Sequence, residues 1–244
     1  GLSPDLDPLS IATLASVDTS AARMTVAQGV VIPDDAYWRV LVHETFDGRR
    51  WRHRDSPEPP TSVRDVRSTA PISQWWVVEP SATRALPWDG SSAPVAADQW
   101  IASEGELLMN VASRQRRAYR LQAAGNAQDW RRRPPLASER QLPAVGFPRL
   151  RQLGEGFRSL PSDRERLTAV EEWFRSQPFQ YSLQPGSALD LDDFLFDRQL
   201  GFCGHYSSAL AALLRSADVP ARVVSGYRGG RLVKPLSGAN YLEL

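Results

Sequence analysis

Up to about residue 122, apolar positions come in short runs broken by prolines and small polar residues. Residues 26–31 are apolar and stop at Pro33, and residues 37–44 are rich in β-branched and aromatic side chains with partial alternation. Asp47-Gly48 then separates Phe46 from Trp51, a turn dipeptide between apolar segments. Further strands are expected at 63–67 and at 74–79, the latter ending at Pro80, and 106–111 with 116–121 is expected as a pair. Such spacing predicts antiparallel sheets in a sandwich or partly open barrel.

Across 131–148 the pattern changes. Arg131-Arg132-Arg133-Pro134-Pro135, followed by Pro143 and Pro148, is expected to be a boundary, with the arginines as a solvated charged turn. Beyond it the period becomes helical. A helix is predicted over 148–160 with Leu150, Leu153 and Phe157 inward, against the cost of Gly154 and Gly156. Ser162 and Glu165 form a capping box for a second helix, which carries Leu167, Val170 and Phe174 on one face and ends near Gln177, before Pro178. A third, buried helix carries Leu210, Leu213 and Leu214 and stops before Pro220. A strand over 221–227 and a Gly229-Gly230 turn follow, and 240–244 begins another strand. The fold class is therefore α+β, with a β-rich domain over 1–145 and a second domain over 146–244.

Composition changes this picture little. The chain has 244 residues, 42% hydrophobic and 23% charged, and a net charge of +1, so neither nucleic acid nor an acidic partner is indicated. No apolar run is long enough to span a membrane. The start at Gly1, without Met or a signal pattern, suggests a fragment of a longer protein. Lys234 is the lone lysine among 29 basic residues, a bias that fits GC-rich coding better than avoidance of self-modification. His43, His53 and His205 show no metal-ligand spacing, and no phosphate loop follows a strand, so no metal and no cofactor are expected.

Candidate chemistry concentrates at Cys203, the one cysteine. It sits where loop becomes helix, and the aligned peptide dipoles there favour thiolate. Gly201 and Gly204 leave room for a substrate, and the Cys203 N–H can hold an oxyanion. The competing reading, a packed residue at a helix start, stays open on composition alone. His205 lies only two residues on, a spacing that does not turn side chains toward one another, and is read as structural. His43 and His53 are read as surface or core residues.

Gly201-Phe202-Cys203-Gly204-His205-Tyr206, with Leu213-Leu214-Arg215, Val219-Pro220-Ala221-Arg222-Val223-Val224 and Gly226-Tyr227, resembles the core of bacterial transglutaminase-like proteins. Ser207 stands where Ala is common, and Asp218-Val219 where Gly-Ile is usual. A looser likeness, in Tyr37-Trp38-Arg39, Phe46-Asp47-Gly48 and Trp51, is to the extracytoplasmic region of a membrane-bound subfamily. The resemblance implies a papain-like core preceded by a β-rich domain, with Cys203 as the nucleophile of a Cys-His-Asp triad whose His and Asp lie after Leu244. It places Tyr181 near the cleft, read as a core aromatic, and Asp192 and Asp193 as caps or turns rather than the triad acid. It implies thioester formation with a glutamine side chain and transfer to a primary amine, on a protein or peptide substrate connected with the cell wall. It also implies a periplasmic location within a membrane-anchored parent, and no nucleic-acid partner. A papain-like peptidase, a deamidase and a non-enzymatic scaffold stay open as alternatives.

Overall fold

The computed structural model describes residues 2–6, 20–29, 31–54, 70–112, 114–123, 129–186 and 190–244. Its strands in the first half are β1 (Asp5–Leu6), β2 (Ala22–Val26), β3 (Tyr37–Phe46), β4 (Trp51–His53), β5 (Ile72–Val78), β6 (Ala85–Leu86), β7 (Ala93–Pro94), β8 (Gln99–Ile101), β9 (Leu107–Met109) and β10 (Arg117–Gln122). Helices α1 (Pro148–Phe157), α2 (Asp163–Ser176) and α3 (Cys203–Ser216) follow, with β11 (Gln180–Tyr181) and β12 (Leu200–Gly201) between the last two. The strands β13 (Val223–Arg228), β14 (Arg231–Val233) and β15 (Tyr241–Glu243) end the chain.

The two larger sheets draw on both ends of the sequence. One has the order β1-β4-β3-β13 and the other β14-β15-β2-β5-β10-β7. Gly229 and Gly230 carry the chain from the first sheet to the second, and a side chain on Gly230 would strike Leu242 at 2.6 Å. β3 spans two cores: Trp38 packs with Trp76, Trp88 and Leu121, whereas Phe46 packs with Trp51 and the helical residues Leu150, Phe194 and Leu213. Each fully buried aromatic or leucine of this kind contributes about 1.5–3 kcal/mol.

Local chemistry explains the elements. At the β3–β4 hairpin, Asp47 Oδ1 accepts from the N–H groups of Arg49 (3.0 Å) and Arg50 (2.7 Å), and Gly48 takes a φ of 103° that other residues rarely adopt. Ser162 Oγ accepts from Glu165 N–H (3.2 Å) and donates to the Glu165 carboxylate (2.6 Å), so the capping box starts α2 as expected. Gly154 lets α1 meet α3: a Cβ there would lie 2.3 Å from Ser216 Oγ. The glycine that argues against a helix in isolation is thus required by helix packing.

Several expectations need correction. β9 and β10 do not pair: β9 lies between β6 and β8, and β10 between β5 and β7. The first apolar run is displaced, the strand being Ala22–Val26. α1 ends at Phe157 rather than Leu160, and Leu167 is exposed while Val170 is fully buried. The candidate strand 63–67 lies outside the described residues.

Within 131–148, Arg131 and Arg132 are exposed as expected of a charged turn, but Arg133 and Glu139 are not. Short 3-10 turns at Asp129–Arg132 and Ala137–Arg140 carry a buried Glu139, which pairs with Arg133 and, at 3.4 Å, with Arg222. Arg215, itself buried, donates to the carbonyls of Glu44 (2.5 Å), Gln141 (2.9 Å) and Ala221 (2.7 Å) and lies over the Trp51 ring. These contacts fasten the end of α3 to β3 and to the connecting segment. Both arginines of the Leu-Leu-Arg and Pro-Ala-Arg motif segments are therefore structural ties. Among the described residues, no helix is long and apolar enough to cross a membrane.

Candidate active site

Cys203 is the first residue of α3, after Phe202 in extended backbone (φ −120°, ψ −179°). The helix behind it is anchored by Ala209, Ala212 and Leu213, none of which is exposed, so the cysteine stands on a rigid base. The cysteine itself is exposed.

The groups that act on its sulfur are the N–H of Gly204, the hydroxyl of Tyr181 and its own N–H. Each favours the thiolate, as expected at a helix start. Removal of water by the surrounding protein outweighs them, however, and the Cys203 thiol is held above its ordinary range. No cation is among the groups that act on the sulfur.

Tyr181 reaches the sulfur through backbone pairing. β11 runs parallel to β12, with Tyr181 opposite Gly201, and the Ser182 N–H donates to Gly201 O (2.8 Å). The hydroxyl of Tyr206 donates to Gln180 O (2.9 Å) and locks the same segment to α3. Phe179 stacks on Phe194 at 5.2 Å beneath it. Tyr181 is 63% exposed, so its reading as a core aromatic is wrong. Nothing local marks Tyr181; the signal is a long-range strand pairing.

His205 is structural. The Phe202 N–H donates to its Nδ1 (3.4 Å), the reciprocal half of a capping box with an imidazole in place of the usual Glu. Its ring sits edge-on to Phe202 at 4.3 Å, and burial lowers its pKa, which keeps it neutral and able to accept that bond. The absence of a side chain at Gly201 serves this packing rather than substrate entry, since a Cβ would lie 2.9 Å from both His205 and Phe194. Asp192 caps α1 from a distance, accepting from Arg149 N–H and Leu150 N–H at 2.9 Å each. Asp193 lies in a π-helical turn, Asp193–Arg198.

His43 and His53 belong to the β region. His43 is fully buried and shares a hydrogen bond with Ser225 Oγ (2.9 Å), while His53 contacts the buried Glu106 carboxylate (3.0 Å). Burial, then the neighbouring His53, lowers His43 to about 4. None of the three histidines is among the groups that act on the Cys203 sulfur. Among the described residues, no group of His, Cys, Asp and Glu is arranged to hold a metal.

A cysteine at the head of a buried helix, followed by antiparallel strands and preceded by a β-rich region, defines a transglutaminase-like core with an added N-terminal domain. The family model described as the TgpA N-terminal domain matches residues 1–129, and that of the transglutaminase-like superfamily matches 151–240. The chain belongs to the TgpA family of transglutaminase-like proteins. It is 33% identical over 240 residues to the protein-glutamine gamma-glutamyltransferase of Pseudomonas aeruginosa, covering 95% of this chain and 36% of that protein's length. An uncharacterized Bacillus subtilis protein, YebA, is 41% identical over 71 residues, which is 27% of this chain and 10% of that one. The crystal structure of the periplasmic domain of TgpA from Pseudomonas aeruginosa superposes with a TM-score of 0.81 at 30% identity, covering all of this chain and 86% of that one. Its ethylmercury-bound form gives 0.82 at 33% identity, covering 87% of that chain.

Proposed function

We propose that this chain carries the nucleophile of a protein-glutamine gamma-glutamyltransferase. The observation that carries the reading is Cys203, exposed at the head of a buried helix with Gly204 N–H, Tyr181 hydroxyl and its own N–H on the sulfur. In the first step sulfur attacks a glutamine carboxamide carbon: an S–C bond forms, the C–N bond breaks, and the thiol proton leaves with ammonia. In the second step a primary amine attacks the thioester: an N–C bond forms, the C–S bond breaks, and a proton returns to sulfur. The Cys203 N–H and the Tyr181 hydroxyl are the donors placed to hold the oxyanion between these steps. The reaction calls for a histidine base oriented by an aspartate, and His43, His53 and His205 are not among the groups that act on the sulfur.

The name of the 33%-identical relative and the superposition on a periplasmic domain support this activity and a periplasmic location. Proteins or peptides, including those of the cell wall, are the substrate class. The test is incorporation of a labelled primary amine into a glutamine peptide by the full-length protein. Amine incorporation lost in Cys203→Ala, by about a thousandfold or more, is expected. Peptide-bond cleavage without incorporation makes it a peptidase, ammonia release without incorporation a deamidase, and inertness of Cys203 a scaffold.

A further inference from the structure

The face of α3 that begins at Cys203 continues through Ser207, Leu210 and Leu214, at helical spacing. Ser207, Leu210 and Leu214 line a cleft of about 400 Å³ whose other walls include Arg39, Trp130 and Arg222. From Cys203 to Leu210 the helix advances roughly 10 Å at 1.5 Å per residue. Tyr37 meets the cleft at the lining residue Val224, to whose carbonyl its hydroxyl donates (2.9 Å). Burial and the Cys203 thiolate raise its pKa to about 12 against the pull of Arg39.

Arg39 is held in this cleft rather than draped over it. It lies in β3 opposite Gly226, its Nε donates to Gly105 O (3.3 Å), and its guanidinium stacks 4.5 Å from the Trp130 ring centroid. Gly105, at φ +84°, has to be glycine because a Cβ would fall 2.4 Å from the Trp130 ring. Arg131 lies over the same ring at 5.2 Å. Arg222 is engaged with Glu139 (3.4 Å) and with Glu104 O (3.0 Å). Among the described residues no acid forms an ion pair with Arg39: burial and the like charges of Arg222 and Arg131 lower it to about 10, only partly offset by Tyr37 and Glu106. An apolar floor beside a stacked arginine suits an extended peptide that bears a carboxylate, since arginine binds that group through a planar fork.

We propose that this cleft is an acyl-donor subsite for acidic peptides, in which Arg39 takes a carboxylate two or three residues from the reacting glutamine. The spacing follows from about 3.3 Å per residue in an extended peptide laid along the ~10 Å of helix. The proposal rests on the reading of Cys203 as the acyl nucleophile and names the substrate class of that site.

The experiment compares glutamine peptides in the amine-incorporation assay of the full-length protein. One set carries Asp two or three residues to either side of Gln, and matched sets carry Asn or Lys there. An Asp peptide is expected to show a kcat/KM about tenfold above its Asn counterpart, mainly through KM, with the Lys peptide lowest and the gap narrowing in high salt. Arg39→Met is expected to bring the Asp-to-Asn ratio near one and Arg39→Lys to restore part of it, with thermal melting to confirm that both fold. Should both variants unfold, the wild-type ranking and its salt dependence still decide. Equal turnover of Asp, Asn and Lys peptides overturns the subsite and leaves the acyl-transfer reading standing. No turnover of any peptide, with Cys203 still alkylated by iodoacetamide, overturns the acyl-transfer reading and the subsite with it.

Discussion

At Cys203 burial pushes the thiol up, and the Gly204 N–H, the Tyr181 hydroxyl and its own N–H pull it down by less. Removing one of these donors should therefore slow thiol chemistry. In Tyr181→Phe, alkylation of Cys203 by iodoacetamide near pH 8 is expected to be roughly two- to fivefold slower, because a donor to the thiolate is lost while the ring stays. An unchanged rate across the pH profile would remove Tyr181 from the site. His43 provides a second test at this scale. Its folded pKa of about 4 lies below the unfolded value of 6.5, so below pH 6.5 the unfolded state binds more protons. Stability is then lost as pH falls from 6.5 to 4, by about 3 kcal/mol for this group alone. Urea unfolding at pH 7.5, 5.5 and 4.5 should show His43→Gln less stable at pH 7.5 but losing less on acidification. Parallel losses in the two proteins would contradict the assignment.

At the scale of elements, what could be read in the sequence was what neighbours in sequence decide. The Ser162–Glu165 capping box, the Asp47-Gly48 hairpin and the buried stripe of α3 each depend on residues within a few positions of one another. What escaped depends on distant partners. Arg133 looks like part of a solvated turn until Glu139 and Glu44 are brought beside it. Tyr181 looks like core until β11 pairs with β12 and leaves it facing the sulfur. Gly154 looks like a flaw in α1 until Ser216 lies against it. Asp218 adopts a left-handed φ of 62° after α3, which Asp tolerates better than most residues. Gly154→Ala should cost about 1–3 kcal/mol by overpacking the α1–α3 contact. Pairing it with Ser216→Gly should recover part of that loss in thermal melts. A neutral Gly154→Ala would mean that the helices separate without cost.

The whole molecule is held by strands that return from the end of the chain to its beginning. β13 pairs with β3 over Val223–Arg228, and β15 pairs with β2 through Leu242 and Met24. The transglutaminase-like core and the N-terminal domain of the TgpA family thus share two sheets as well as the Arg215 and Glu139 contacts. One cooperative calorimetric transition is expected, with equal calorimetric and van't Hoff enthalpies. Two resolved transitions would show the halves to be independent. The shared sheets also account for the rigid placement of Arg39 and Tyr37 beside α3, since both sit in β3, the strand that β13 pairs with on leaving the helix.

The central claim is that the Cys203 sulfur accepts a glutamine acyl group. It is tested most directly by intact-mass and peptide-mapping spectrometry of the full-length protein, quenched in acid after brief exposure to a glutamine peptide without amine. The account predicts an adduct on Cys203 equal to the peptide mass less ammonia, discharged by added primary amine and absent in Cys203→Ala. An adduct-free Cys203 under conditions where amine is still incorporated, or an adduct on another residue, would contradict it.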